Sequence, residues 1–192
     1  MAFENDYAAR ADGNTEICVK YTNKASCVEY CIGRFKYWLR NDDQKIVALD
    51  VEYTWPRGPT QMAAVVQLCI GIYVLVYHIS VADEHCGLLA PFLLDEEYTF
   101  VGVDINNDGK NSSLLVWCYN KMKDTLTEDD HHIWAEAPLP LKNIYYASMD
   151  AYATYDLYRR LVNFQKGFES QRQHLAKPSG RSNKSGRKNE ST

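Results

Sequence analysis

The feature that most constrains the fold is an apolar run at residues 46–53 that contains two carboxylates one residue apart, Asp50 and Glu52. In an extended strand, residues i and i+2 project to the same face, so these two acids would lie side by side. A carboxylate is costly to bury without compensation, and such pairs bind a metal, pair with a base or lie at the wet end of a strand. A half-buried edge strand with one solvated face explains the same alternation equally well.

The segments around this run alternate between strand and helix patterns, which predicts an α/β fold. The three β-rich runs in the middle follow one another closely, so we expect consecutive antiparallel strands there. In chain order, the predicted elements are a strand at 17–21, a helix at 25–40, strands at 45–53, 63–70 and 73–79, a helix at 85–95, a strand at 98–103, a helix at 114–119, a polar loop at 123–132 and a helix at 142–164.

An acidic, Asn-rich segment, residues 104–109, follows the strand at 98–103. Folds of the α/β class place functional groups at the carboxyl ends of strands, which makes this segment a candidate part of a site. The alternative is structural, because Asn106, Asn107 or Asp108 could equally cap the N-terminus of a following helix.

Other residues able to take part in chemistry lie further along the chain. Tyr146 and Asp150 are four residues apart in the last predicted helix, one turn from each other. His78 has apolar neighbours and no second metal-type residue in its segment, so we expect a core histidine. His131 and His132 are adjacent and do not converge on one ion, so we expect them in a surface loop.

Charge divides the 192-residue chain into two parts. Residues 166–192 carry seven Lys or Arg against two acids, a local charge of +5, so a net charge of −4 leaves −9 for residues 1–165. The basic part has too little apolar surface to offset its ordering entropy, and we predict a disordered tail at 166–192. Residues 1–15 are polar and are predicted to be a flexible N-terminus, which leaves a domain at 16–165.

The six cysteines are scattered through apolar segments without paired CxxC spacing. They indicate reduced core residues in an intracellular protein, and we expect it in the nucleus, the cytoplasm or both. The N-terminus has no basic region followed by an apolar run, and no apolar stretch approaches the length of a bilayer span. We therefore expect neither secretion nor insertion into a membrane.

Taken in chain order, these motifs resemble the DEDD superfamily of 3′→5′ exonucleases, in the tyrosine-bearing branch that includes ribonuclease D and the Werner-syndrome exonuclease domain. The likeness extends from about residue 16 to 163 and looks closest to the small stand-alone Werner-like exonucleases of plants. It is most specific in Val47-Ala48-Leu49-Asp50-Val51-Glu52, Val66-Gln67-Leu68-Cys69, Phe100-Val101-Gly102-Val103 followed by Asp108, and Tyr145-Tyr146-Ala147-Ser148-Met149-Asp150-Ala151-Tyr152.

The resemblance implies a ribonuclease H-like fold, a three-layer α/β/α sandwich around a mixed sheet, that hydrolyses the 3′ end of DNA or RNA. It also implies two divalent ions, Mg²⁺ or Mn²⁺, held by Asp50, Glu52, Asp108 and Asp150. Hard cations prefer carboxylate oxygens, which agrees with this ligand set. Tyr146 corresponds to the tyrosine that orients the attacking water. The histidine variant of the family would need His where Tyr145 stands.

Two departures from the family pattern affect the expected activity. Asp104 stands where Werner-like members usually have Gly, and its charge could crowd the metal site or compete for it. Residues 109–145 are too few for the helix, strand and helix found in relatives, so we predict that one edge strand and its supporting helix are missing. The alternative to an active enzyme is thus a catalytically impaired nucleic-acid-binding or regulatory protein that keeps the fold.

Overall fold

The computed structural model describes residues 1–11, 15–55, 59, 61–102 and 126–176. A mixed six-stranded sheet with the order β1-β2-β5-β4-β3-β6 is its centre. The strands are β1 (Glu4–Arg10), β2 (Glu16–Thr22), β3 (Ile46–Tyr53), β4 (Ala63–Ile70), β5 (Tyr73–Tyr77) and β6 (Thr99–Val101). The helices are α1 (Ala25–Leu39), a 3₁₀ turn at Ile79–Val81, α2 (Leu89–Leu93), α3 (Glu128–His132) and α4 (Leu141–Ala176).

The pairing of the strands confirms the predicted antiparallel series. Strand β4 pairs antiparallel with both β3 and β5. Strands β2 and β6 lie on either side of this series and are parallel to β5 and β3, respectively. The sheet is therefore mixed, as expected.

Both faces of the sheet are covered, because each face has its own apolar core. On one face, α1 packs a stripe that includes Val28, Ile32 and Phe35 against β4 and β5. On the other face, Ile144, Ala147 and Ala151 of α4 pack against β3, β4 and β5. The i, i+3 and i+4 spacing of both stripes explains why these segments are helical and which side each one buries. The predicted three-layer α/β/α architecture is confirmed.

The N-terminus differs from the prediction, since residues 4–10 form strand β1 instead of a flexible segment. Strand β1 pairs with the outer edge of β2 along its whole length. Tyr7 and Ala9 alternate along it and, with Phe3 just before it, pack against the core on the α4 face. Lys20 of β2 forms ion pairs with Glu4 and Asp6. The segment is mostly polar, so its period-two pattern was missed. The expectation of a flexible segment is wrong for residues 4–10.

The last helix is longer than predicted, because α4 continues to Ala176. Its continuation is rich in residues with high helix propensity, such as Gln, Lys, Glu, Arg and Leu, despite its low apolar content. The prediction of a disordered tail is therefore wrong for residues 166–176, and residues 177–192 lie outside the described part. The chain divides into two compact units, Met1–Arg159 and Arg160–Thr192.

A short helix also replaces part of the polar loop predicted at 123–132. Thr127 and Asp130 form a reciprocal capping box at the start of α3, with the Thr127 amide donating to the Asp130 carboxylate over 2.9 Å. Asp130 also joins α3 to the first turn of α4. Its carboxylate forms an ion pair with Lys142, and its main-chain carbonyl accepts a hydrogen bond from the side-chain amide of Asn143. No helix among the described residues is long and apolar enough to cross a membrane.

Candidate metal centre

The site is built first from the alternation of strand β3. Ile46 and Ala48 belong to the core on the α4 face, whereas Val47 belongs to the core on the α1 face. Because side chains two residues apart share a face, Asp50 and Glu52 continue the α4-facing row beyond the apolar part of the strand. Both are partly buried, so the alternative of a solvated edge strand does not hold: β3 is an interior strand, between β4 and β6.

Helix α4 brings the third acid to this row. Asp150 lies between Ala147 and Ala151, which are fully buried against the sheet, and its own side chain is partly buried. One carboxylate oxygen from each of Asp50, Glu52 and Asp150 can be chosen so that all three lie within 4.8 Å of one another. Residues about one hundred positions apart in the sequence thus share one cluster.

Burial and mutual repulsion disfavour the charged forms of these acids. Burial, followed by the charges of Asp50 and Asp150, raises the pKa of Glu52 to about 8. Burial and then the charge of Asp50 raise the pKa of Asp150 to about 7, and burial also raises the pKa of Asp50. A divalent cation would reverse this cost, because it supplies the positive charge that the cluster needs.

The donor set fits a hard divalent cation. Three carboxylates that converge from one strand and one helix offer the oxygen ligands that Mg²⁺ and Mn²⁺ prefer. A buried polar side chain beside these acids adds to this fit. Gln67 of β4 stands opposite Asp50 of β3 in the sheet register. Its side-chain amide is fully buried and makes no hydrogen bond to the described residues. Leaving such a group unpartnered costs about 1–3 kcal/mol, which points to a site whose hydrogen bonds depend on what it binds.

Tyr146 lies one helical turn before Asp150, where the sequence placed it, and its side chain is partly buried. Its ring contacts His131 edge-on, with centroids 5.5 Å apart, and lies 6.2 Å from the ring of Trp134. The ring of Tyr146 thus packs against the segment that contains α3, while its position in α4 is one turn from Asp150.

Sequence reasoning missed a set of aromatic contacts that involves Tyr146. Trp55, three residues after Glu52, stacks on His132 with ring centroids 4.0 Å apart and planes at 21°. His131, the next residue of α3, meets Tyr146 as described above. We call Trp55, His132, His131 and Tyr146 the aromatic wall. The expectation that the two histidines lie in a surface loop is wrong, because α3 places them against rings from two other segments, which no local pattern could reveal.

His78 occupies the buried position expected for it. It is fully buried, and its Nδ1 lies 2.8 Å from the hydroxyl of Tyr21. Burial lowers the pKa of His78 to about 4, so the ring is neutral at physiological pH. The acid cluster of the described residues contains no histidine.

Four predictions fall on residues 103–125, which lie outside the described part of the chain. They concern Asp108 as the fourth metal ligand, Asp104 as its competitor, the helix at 114–119 and the missing edge strand and helix.

Comparisons with known proteins give structural likeness without sequence likeness. No protein-family model matches the chain, and no curated protein matches its sequence. Escherichia coli RNase D, an exoribonuclease involved in structured RNA processing, superposes with a TM-score of 0.56 at 14% identity. The match covers 77% of this chain and 45% of that one, so the chain spans less than half the length of RNase D.

Two further solved structures agree with this result. The EXO domain of Nibbler from Aedes aegypti matches with a TM-score of 0.52 at 14% identity, over 88% of this chain and 94% of that one. The catalytic core of RRP6 from Trypanosoma brucei matches with a TM-score of 0.57 at 11% identity, over 86% and 52%. At these identities the likeness concerns the fold, and the chain therefore has the ribonuclease H-like α/β fold of these exonuclease structures.

Proposed function

We propose that this protein is a metal-dependent 3′→5′ exonuclease. The observation that carries the proposal is the convergence of Asp50, Glu52 and Asp150 within 4.8 Å, in a fold shared with solved exonuclease structures. A chance collection of solvated acids would not gather three partly buried carboxylates from a strand and a distant helix. The resemblance of the sequence motifs points to the same function.

In the proposed enzyme, Asp50, Glu52 and Asp150 hold Mg²⁺ or Mn²⁺ together with Asp108. When bound, the cations supply Lewis-acid activation of water and neutralise charge on the departing oxygen. The water oxygen would add to the last phosphorus and lose a proton, while the bond from that phosphorus to the 3′ oxygen of the preceding nucleotide breaks and that oxygen takes up a proton. The products are a nucleoside 5′-monophosphate and a shortened chain with a 3′-hydroxyl. Tyr146, one turn from Asp150, orients the water through its hydroxyl group.

The aromatic wall is the proposed surface for the terminal nucleotides. Trp55 is 49% exposed, so its ring keeps an accessible apolar surface beyond its stack with His132. Bases of single-stranded DNA or RNA stack on such rings with little dependence on sequence. The acidic domain offers few phosphate contacts of its own, and the Lys and Arg residues after position 165 are the proposed source of additional ones.

The decisive experiment incubates the full chain with a 3′-overhang DNA and a single-stranded RNA, each labelled at its 5′ end. With Mn²⁺ we expect a ladder of products shortened from the 3′ end, and with EDTA we expect none, because the carboxylates alone cannot activate water. Degradation that continues in EDTA would contradict the metal mechanism. Binding of the oligonucleotides without any shortening would favour the impaired binding protein.

Replacing the exposed ring of the wall should weaken substrate binding. We expect Trp55→Ala to raise the Kd for a single-stranded oligonucleotide about tenfold, since stacking is worth roughly 1–3 kcal/mol per base. Fluorescence anisotropy with a phosphorothioate oligonucleotide, which resists cleavage, measures this change.

The matched control is Tyr37→Ala, which removes a ring of similar exposure, 59%, from α1 on the other face of the sheet. We expect the control to bind like the wild type. Equal affinity of the wild type and both variants would contradict a role of the aromatic wall in binding. It would not bear on the proposed metal centre.

A further inference from the structure

The side chain of Gln67 is a buried amide beside the acid cluster. It lies in the middle of β4 with 0% of its surface exposed. Neither the nitrogen nor the oxygen of its amide has a hydrogen-bond partner among the residues that the structure describes. Buried amides are nearly always hydrogen-bonded in folded proteins, so an unpartnered one beside a candidate site indicates a function that depends on a ligand.

The sheet register shows which polar group Gln67 can reach. Its partner across β3 is Asp50, and its partner across β5 is Val76. Along β4, Val65 and Cys69 flank it on the same face. Asp50 is thus the polar member of these four neighbours.

Gln67 and Asp50 also share a face and are close enough to interact. Val65 and Cys69, two residues either side of Gln67, belong to the core on the α4 face, where Asp50 also projects. Directly opposed residues in antiparallel strands have Cβ atoms about 4.5–5.5 Å apart, which the two further carbons of a glutamine side chain can span. Glu52 lies one step diagonally from Gln67, since it pairs with Val65.

We propose that Gln67 is a positioning residue for the metal centre. With a divalent cation bound, its amide N–H would donate a hydrogen bond to one carboxylate oxygen of Asp50 and leave the other oxygen to the cation. This inference rests on the proposed function, because it assumes that the acids hold a cation. Ligating carboxylates are commonly held in this way, and losing such a hydrogen bond weakens metal affinity about 10–100-fold.

The test compares Mn²⁺ binding by the full-length wild type and Gln67→Met, using the electron paramagnetic resonance signal of free Mn²⁺. Methionine keeps the length of the side chain and removes both polar atoms. We expect the Kd for Mn²⁺ to rise about tenfold or more. The thermal midpoint of the metal-free variant should equal or exceed that of the wild type, because an unpartnered buried amide has been replaced by an apolar group.

The control is Leu68→Ala, which removes a buried side chain from the other face of the same strand. It should lower the thermal midpoint and leave the Kd for Mn²⁺ unchanged, which separates loss of stability from loss of positioning. If Gln67→Met does not fold, Gln67→Leu provides the same comparison.

The possible outcomes distinguish this inference from the function on which it rests. A wild type that binds no Mn²⁺ would overturn both the metal centre and the role of Gln67. A wild type that binds Mn²⁺, with an equal Kd for the Gln67 variant, would overturn only the positioning role. A raised Kd with an unchanged or higher metal-free midpoint supports it.

Discussion

Asp150→Ala is expected to reduce the rate of 3′-end degradation about a thousandfold or more, with Asp50→Ala similar in effect. Each substitution removes one carboxylate from the described cluster of three, and a group of residues that acts as a unit loses most of its catalysis when any member is removed. The measurement is the single-turnover rate on a 5′-labelled oligonucleotide with Mn²⁺.

The matched control for this experiment is Asp6→Ala. Asp6 is a surface acid on β1, four strands away from β3 in the sheet, and its partner is Lys20. We expect Asp6→Ala to retain wild-type turnover, because a surface ion pair contributes little to stability and this one is remote from the cluster. Turnover that survives both Asp50→Ala and Asp150→Ala would eliminate the acid cluster as the catalytic site.

The second large effect is a linkage between pH, divalent cations and stability. The pKa of Glu52 is raised from 4.5 to about 8 in the folded protein, and that of Asp150 from 3.8 to about 7. A carboxyl group whose pKa is higher in the folded state than in the unfolded state stabilises the fold at pH values below the unfolded-state pKa. This stabilisation is lost as the pH rises through the folded-state pKa. We therefore expect the thermal midpoint of the metal-free protein to fall between pH 6.5 and pH 8.

The pH window is chosen so that His78 does not obscure the result. Its pKa is lowered from 6.5 to about 4, so its contribution is lost as the pH falls below 6.5 and is constant above it. Saturating Mg²⁺ or Mn²⁺ binds the ionised carboxylates, and at about 100 times Kd it stabilises the fold by roughly 2.7 kcal/mol. For a chain of this size that is a rise in midpoint of about 5–10 °C, larger at pH 8 than at pH 6.5.

Asp150→Asn is the control for this linkage, since asparagine keeps the shape of the side chain without its charge. We expect a higher metal-free midpoint at pH 8 than in the wild type and a smaller rise on adding cations. A wild-type midpoint that is flat from pH 6.5 to pH 8, with no response to cations, would show that these acids do not form a strained cluster.

The core elements of the fold were predictable because their patterns are local. The helical stripe of α1, the alternation of β3 and the apolar runs of β4 and β5 each follow from residues close in sequence. Strand β1 was not predictable, because it has few apolar residues and becomes evident as a strand only through its pairing with β2. The extension of α4 was missed because a composition argument for disorder overlooked helix propensity.

The acid site was likewise predictable only where its residues are close in sequence. Asp50 and Glu52 are paired by strand geometry, and Tyr146 and Asp150 by helix geometry, so each half could be inferred from spacing. Their meeting depends on α4 packing across β3, for which the sequence offered only the resemblance to a family. The Trp55–His132 stack and the unpartnered amide of Gln67 depend on three-dimensional neighbours, which no local pattern encodes.

The hydroxyl of Tyr21 connects parts of the chain that are distant in sequence. It accepts a hydrogen bond from the Leu139 amide over 2.9 Å, just before α4 begins, while it also contacts His78 after β5. The base of the helix that carries Asp150 is thereby anchored to the second strand of the sheet. Local opening at the N-terminal strands would release this anchor, so we expect the helix turn that carries Asp150 to open together with those strands.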